Sequence, residues 1–334
     1  MLQKRRYICV LLLSAAYLCL GNAHAQSQSA RDYPSKTITM IVPFPPGGAT
    51  DALARIVAQK LTASLGQAVV VDNHPGAGGT IGAALVARAN PDGYTILFTS
   101  SSTHSVAPSF NKKLPYDAVT DFTPIGGAVA SPSLLMVTKT LPIKTLKDLI
   151  LYAKAHPGEL NFASSGNGTV IQLNVEALKA QAGLDMTHVP YKGSALALPD
   201  LVSGKVHILF DVMVAGLQPV KDGKLNALAV GGTKRSTLLP DVPTVAEAGK
   251  EYGLGQFESS TWFGLFGPRN LAPEIVAKLN TALNKVIVSP DVVERFAQIG
   301  AEPMPGTPEK FATMVAKERV RWSNLIKQAQ INAE

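Results

Sequence analysis

Cysteine is nearly missing from this chain: Cys9 and Cys19 stand alone, both within the first 20 residues. They fall in a segment read below as a removable leader. The mature chain then has no thiol, and disulfides, thiol catalysis and cysteine metal sites are excluded together. Charge is sparse and mixed, with 31 Lys+Arg against 24 Asp+Glu giving +7, and loss of Lys4, Arg5 and Arg6 with the leader leaves +4. No basic stripe interleaved with aromatics appears, which argues against a nucleic-acid partner. No apolar run after residue 20 approaches the roughly 20 residues of a membrane span. G-x-S-x-G and H-E-x-x-H are absent, no paired carboxylates stand out, and His74, His104, His156, His188 and His207 are widely separated in sequence. These absences point away from catalysis, from a metal and from any other cofactor.

What is present begins with the leader. Lys4, Arg5 and Arg6 precede an apolar run over residues 7–20, followed by Ala23-His24-Ala25. A basic start, a short apolar stretch and a small-x-small site make a signal peptide, so the mature chain is expected to begin at Gln26 and to lie free in the periplasm. Lipidation at Cys19 is disfavoured by the bulky Tyr17 and Leu18 before it. The remaining chain of about 309 residues has the length of two ordinary domains.

Strand-like and helix-like periodicities alternate along it. Residues 38–42, 69–72 and 95–98 are short β-branched or aromatic runs, while residues 51–65 put Leu53, Ile56, Val57 and Leu61 on one helical face. A second series places strands at 134–137, 160–163, 186–189, 207–210 and 225–230, and helices at 146–155 and 169–181. An apolar run at 261–266 then leads into two helices that use Pro273 and Pro308 as first-turn residues. The pattern predicts an α/β fold with a mainly parallel sheet.

The two series share a layout in which a strand runs through a glycine-rich turn into a helix: Pro43-Phe44-Pro45-Pro46-Gly47-Gly48-Ala49-Thr50-Asp51 in the first, Ser164-Ser165-Gly166-Asn167-Gly168-Thr169 in the second. Ligands of open α/β sheets sit beyond the carboxyl ends of the strands, where helix N-termini offer free amides. Such turns can hold a carboxylate with no arginine; they equally serve as tight connections with Thr50 or Asp51 as cap. His74-Pro75-Gly76-Ala77-Gly78-Gly79 is a further turn of this kind. It is no dinucleotide fingerprint, because Ile81 stands where the third glycine belongs. Ser100, Ser101, Ser102 and His104 follow the strand at 95–98, while Tyr191, Lys192, Gly193, Ser194 and Asp211 lie at carboxyl ends of second-series strands. Lys192 would offset an acidic ligand and Asp211 would accept from an amine or hydroxyl; either is alternatively a cap or a surface charge.

Four ordered segments, YPSKTITMIVPFPPGGATD, VVVDNHPGAGGTIGAALVARANPDGYTILF, VPYKGSALALPDLVSGKVHILFD and LPDVPTVAEAG, resemble the Bug family of extracytoplasmic solute receptors, which serve tripartite tricarboxylate transporters. The resemblance covers nearly the whole mature chain. It implies a type II periplasmic-binding fold, two α/β domains that close over a small organic acid or amino acid, with membrane transporter subunits as partners, no membrane insertion and a monomeric state. Carried over residue by residue, the ligand would meet Phe44, Pro46, Gly47, Gly48, Asp51, Gly76, Ala77, Gly78, Gly79, Ser100, Ser101, Ser102 and His104 in the first domain. In the second it would meet Ser165, Gly166, Gly168, Thr169, Tyr191, Lys192, Gly193, Ser194 and Asp211. Gln172 and Leu196 stand where relatives often have histidine and proline. The domains are expected at 26–126 with 258–334 and at 127–257, the chain crossing twice. Two rivals remain open: a periplasmic enzyme using the same loops on a carboxylated substrate, and a sensor that delivers its bound state to a signalling receptor.

Overall fold

The computed structural model describes residues 32–329 and 331. The leader and its cleavage site lie outside the described residues. Strand β1 (Ile38–Val42) is buried on both faces apart from Thr39, as expected of a central parallel strand. It enters helix α1 (Ala49–Leu65), whose Leu53, Val57 and Leu61 are fully buried at helical spacing, and which Gly66 ends in the left-handed region at φ 71°. Each such aliphatic side chain contributes roughly 1.5–3 kcal/mol on full burial. Then follow β2 (Val69–Asn73), α2 (Thr80–Ala87), β3 (Thr95–Ser100) and a π-type turn over Ser102–Val106 that runs into α3 (Ala107–Phe110).

Strand β4 (Phe122–Thr138) is 17 residues long, and only its last third was legible as a strand. Pro124, Gly126, Gly127 and Pro132 break its periodicity. The pairing absorbs them through register shifts between Pro124 and Gly126 and between Gly127 and Val129. The second series comprises α4 (Leu146–Ala155), β5 (Asn161–Ser164), α5 (Val170–Ala182), β6 (Thr187–Pro190), α6 (Ser194–Ser203), β7 (Ile208–Val212), α7 (Met213–Lys221), β8 (Leu225–Val230) and α8 (Val245–Ala248). The chain returns through β9 (Ser260–Pro268), α9 (Pro273–Ile287), α10 (Pro290–Gln298), β10 (Glu302–Pro303) and α11 (Pro308–Gln328). Pro273, Pro290 and Pro308 each open a helix.

The strands join in the order β2-β1-β3-β9-β4-β7-β5-β6, with β8 and β10 also paired to β4. β1, β2 and β3 are mutually parallel, as are β5, β6 and β7, while β4 and β9 run antiparallel to their neighbours. Up to Pro132 strand β4 pairs with β9; from Ser133 it pairs with β7, and from Leu134 with β8. At this exchange Ser133 and Ser259 share a 2.8 Å hydroxyl bond, and Asn174 bridges both, donating to Ser133 Oγ at 3.0 Å and accepting from Ser259 Oγ at 2.7 Å. Separate apolar clusters lie on either side, one around Leu53, Phe98 and Leu279, another around Ile150, Phe162 and Leu178. Helix α11 touches both halves: Phe311 packs with Trp262 and Phe266, while Trp322 and Ile326 pack with Val170 and Leu173 of α5.

Candidate ligand cleft

The turn after β1 is set by Asp51, in the first turn of α1. Its carboxylate accepts from Gly47 N, Arg55 Nε and Asn73 Nδ2, each at 3.0 Å, and Asn73 Nδ2 also donates to Phe44 O at 3.0 Å. Burial works to raise the Asp51 carboxyl, but the donors from Arg55, Gly47 and Asn73 outweigh it and hold it below the usual range. Asp51 therefore shapes the loop from behind and is not one of the cavity-lining residues, unlike the contact expected from the sequence.

Across the fold, the turn after β5 is locked by its own side chains. Gln172 Oε1 accepts from Gly168 N at 2.8 Å, and Thr169 Oγ1 donates to Gly166 O at 2.7 Å. Ser164 Oγ meets His188 Nε2 at 2.6 Å and accepts from Gly166 N at 3.1 Å. The fold thus brings a serine and a histidine together that are 24 residues apart. Burial, then the Lys179 charge, push His188 down to about 4, and Ser164 is not among the cavity-lining residues.

The halves meet in several places. Ser102 Oγ accepts from Val170 N at 3.2 Å, and a Cβ placed on Gly78 would stand 2.5 Å from Asn167 O. Gly193 abuts the Pro45 ring so closely that a side chain there would overlap it. Between them is a small cavity. Eight expected residues line it: Phe44, Gly48, Ser100, Ser102, Ser165, Gly193, Ser194 and Asp211.

The other expected residues stand back from it. His104 is fully buried, stacked on Phe266 at 3.9 Å between ring centroids and bonded to Thr103 Oγ1 at 2.9 Å. It is an aromatic-core residue whose ring burial pushes down to about 3, and it is not among the cavity-lining residues. Ser101 is likewise buried away from the cavity, because Ser101 to Val106 wind into a helical turn and not a solvated loop. Gly76, Ala77, Gly78 and Gly79 all take positive φ, which packs that turn against Asn167, Thr103 and Phe44; Gly78 meets the second half there. Pro46, Gly47, Gly166, Gly168 and Thr169 form the loops behind the lining. Tyr191 donates to Asp200 Oδ2 at 2.8 Å and Lys192 is exposed. Neither departure from the family pattern reaches the cavity: Gln172 holds Gly168, and Leu196 is half exposed.

Sequence reading missed Val170, Ile171, Ala195, Val212, Thr261 and Phe263 in the lining. The first four follow from the strand-turn-helix rule, since they open helices or sit immediately before one. Thr261 and Phe263 had no signal, because they arrive on β9, a strand inserted between β3 and β4 from more than 120 residues away in sequence.

Four helices of at least nine residues start at this cavity: α1 after Gly48, α5 after Thr169, α6 after Gly193 and α7 after Val212. At Gly48, Gly193 and Val212 no side chain caps the helix. First-turn amides without intrahelical partners, at the positive end of each helix dipole, make an anion site. No lysine, arginine or histidine is among the lining residues. The floor carries two polar groups of another kind. Asp211 Oδ1 accepts from Val212 N at 2.7 Å, whereas Asp211 Oδ2 and Thr261 Oγ1 are buried without a protein partner. Burial pushes the Asp211 carboxyl up to about 6, against the opposing pull of the Ser194 hydroxyl and the Val212 amide.

Comparison with known proteins agrees with this geometry. The profile of the tripartite tricarboxylate transporter family receptors matches residues 53–331. BugT of Bordetella pertussis is 40% identical over 301 residues, spanning 90% of this chain and 91% of that protein. A solved R. palustris protein with adipate superposes with a TM-score of 0.87 at 38% identity, over 90% of this chain and 99% of that one. MatC from Rhodopseudomonas palustris, with bound malate, gives 0.83 at 36% identity over 88% and 100%. The type II periplasmic-binding fold expected from the resemblance is the fold found.

Proposed function

The chain belongs to the tripartite tricarboxylate transporter family of receptors, which are periplasmic solute-binding proteins, and from that premise we propose that it closes over a small organic acid and presents it to membrane transporter subunits. The observation that carries this reading is the convergence of four helix starts, three without a side-chain cap, on one cavity free of cationic side chains. Those amides would hold a carboxylate from both halves at once, so that ligand binding favours the closed arrangement. Relatives solved with adipate and with malate support an acid as the ligand.

The division of the chain is part of the proposal: 26–126 with 258–334 against 127–257, the exchange of strand partners at Pro132 and Ser133 lying just inside the first crossing. So are export with cleavage before Gln26, a monomeric state and the lack of catalytic turnover. No helix among the described residues is long and apolar enough to cross a membrane, which fits a freely diffusing receptor.

The test is a thermal-shift panel of small mono- and dicarboxylic acids on residues 26–334. A ligand at 100 times its dissociation constant adds about 2.7 kcal/mol of stability. The shifting acid, recovered after prolonged incubation, is expected unchanged by NMR. A panel with no shift defeats the carboxylate reading, and conversion of the acid defeats the receptor reading in favour of an enzyme.

A further inference from the structure

The walls and the floor of the cleft ask for opposite chemistry. Helix starts on the walls offer donors, which suit the carboxylate end of a ligand. At the floor, Asp211 stands opposite Leu134 on one edge of β4, while Thr261 stands opposite Ser131 on the other edge. Both side chains line the cavity and both are at most 4% exposed; the Ser194 hydroxyl stands beside the Asp211 carboxyl, but Asp211 Oδ2 and Thr261 Oγ1 have no protein partner in hydrogen-bonding geometry. Asp211 is the one ionisable side chain among the described lining residues.

We propose that this floor restricts the ligand to acids carrying a hydrogen-bond donor on the carbon chain, an ammonium or a hydroxyl group, received by Asp211 with Thr261 beside it. The inference rests on the receptor reading above and names its ligand class. A buried carboxylate oxygen left unpaired is costly, and a site built to receive a donor rejects the analogue without one more strongly than it rejects a change in apolar bulk. An acid with a plain methylene at this place leaves Asp211 Oδ2 without a donor from the ligand, while Oδ1 keeps the Val212 amide. One with a second ionised carboxylate there adds like-charge repulsion in a low-dielectric pocket. Phe44, Val170, Ile171, Val212 and Phe263 are apolar and make no polar demand on the rest of the chain.

Calorimetry on matched sets tests this, with succinate, malate and aspartate, then glutarate, 2-hydroxyglutarate and glutamate, then benzoate, 4-hydroxybenzoate and 4-aminomethylbenzoate. In wild-type protein the donor-bearing members of the set that binds are expected to exceed the unsubstituted acid by tenfold or more, the usual worth of a hydrogen bond to a charged group. Asp211→Asn should narrow the gap to within about threefold, chiefly by weakening the donor-bearing acids, and Thr261→Val should narrow it less. The wild-type contrast stands as a test without either variant. Equal or tighter binding of the unsubstituted acid overturns the inference, as does a gap that survives Asp211→Asn. If no acid of any set binds, the receptor reading falls and takes this inference with it; acids that bind regardless of a donor refute only the ligand class.

Discussion

An acid buried for a ligand's sake should cost the empty protein stability, and Asp211→Asn measures that cost. Burial lifts the Asp211 carboxyl from 3.8 to about 6 in the folded chain, a little over two pKa units. At about 1.36 kcal/mol per unit, the ionised group destabilises the folded state by about 3 kcal/mol wherever it is charged in both states. Because the folded value is the higher one, the penalty is complete above about pH 6 and fades as the pH falls through 6 toward 3.8, disappearing only below that, where folded and unfolded chains are both protonated. The neutral amide keeps the acceptor for Val212 N and carries no charge to desolvate. Asp211→Asn is therefore expected to raise the ligand-free unfolding free energy by about 3 kcal/mol at pH 7.5, roughly 5–10 °C in Tm for a chain of this size. The gain should shrink through the interval from pH 6 to pH 4, leaving about 0.5 kcal/mol at its lower end. Urea melts at pH 7.5, 5.5 and 4.0, on protein freed of co-purified ligand by unfolding and refolding, give the comparison. Other carboxylates titrate alike in both proteins and cancel. A variant less stable than wild type at pH 7.5, or a gap that ignores pH, would refute the reasoning.

Gly48→Val tests the anion cradle: Gly48 has extended φ and a Cβ there would meet only Pro45 O, at 3.8 Å, so the fold should tolerate the change while the cavity does not. Affinity for every accepted acid is expected to fall together by about one to two decades, with unfolding midpoints nearly unchanged; reordering of the acids would contradict the cradle. Gly78→Ala puts a methyl group 2.5 Å from Asn167 O and should abolish ligand-induced compaction in small-angle scattering. Its control, Gly183→Ala, carries the same left-handed φ with open space around it, and should lose about 1 kcal/mol of stability but still compact. If both variants compact, Gly78 is no closing contact. His104→Phe should leave affinity within about twofold and stability within about 1 kcal/mol, since the ring is neutral and stacked in an aromatic cluster. A large loss of binding on calorimetry would restore His104 to the site.

The sequence by itself determined the alternation of strands and helices, because buried parallel strands and one-sided helices write their periods directly into residue order. The face of α1 and the proline starts of α9 and α11 were legible for that reason. Glycine-rich turns likewise marked which strand ends would open toward a ligand, since a turn from strand to helix with exposed amides is a local matter of φ, ψ and missing side chains. β4 was only partly legible, because prolines and glycines disguise a strand whose pairing is supplied by β9 from beyond residue 259. Tertiary structure alone decided which polar groups face the cavity. Ser100, Ser101, Ser102 and His104 look equivalent in sequence, yet the end of β3 brings Ser100 to the cleft, and the π-type turn after it brings Ser102 there and buries His104 against Phe266. It also decided that Asp51 satisfies a loop whereas Asp211 keeps an unpaired oxygen. Both are acids beside a strand-to-helix turn; what separates them is the set of partners delivered by distant strands, Asn73 to one and none to the other, and partners in space are not written in local order.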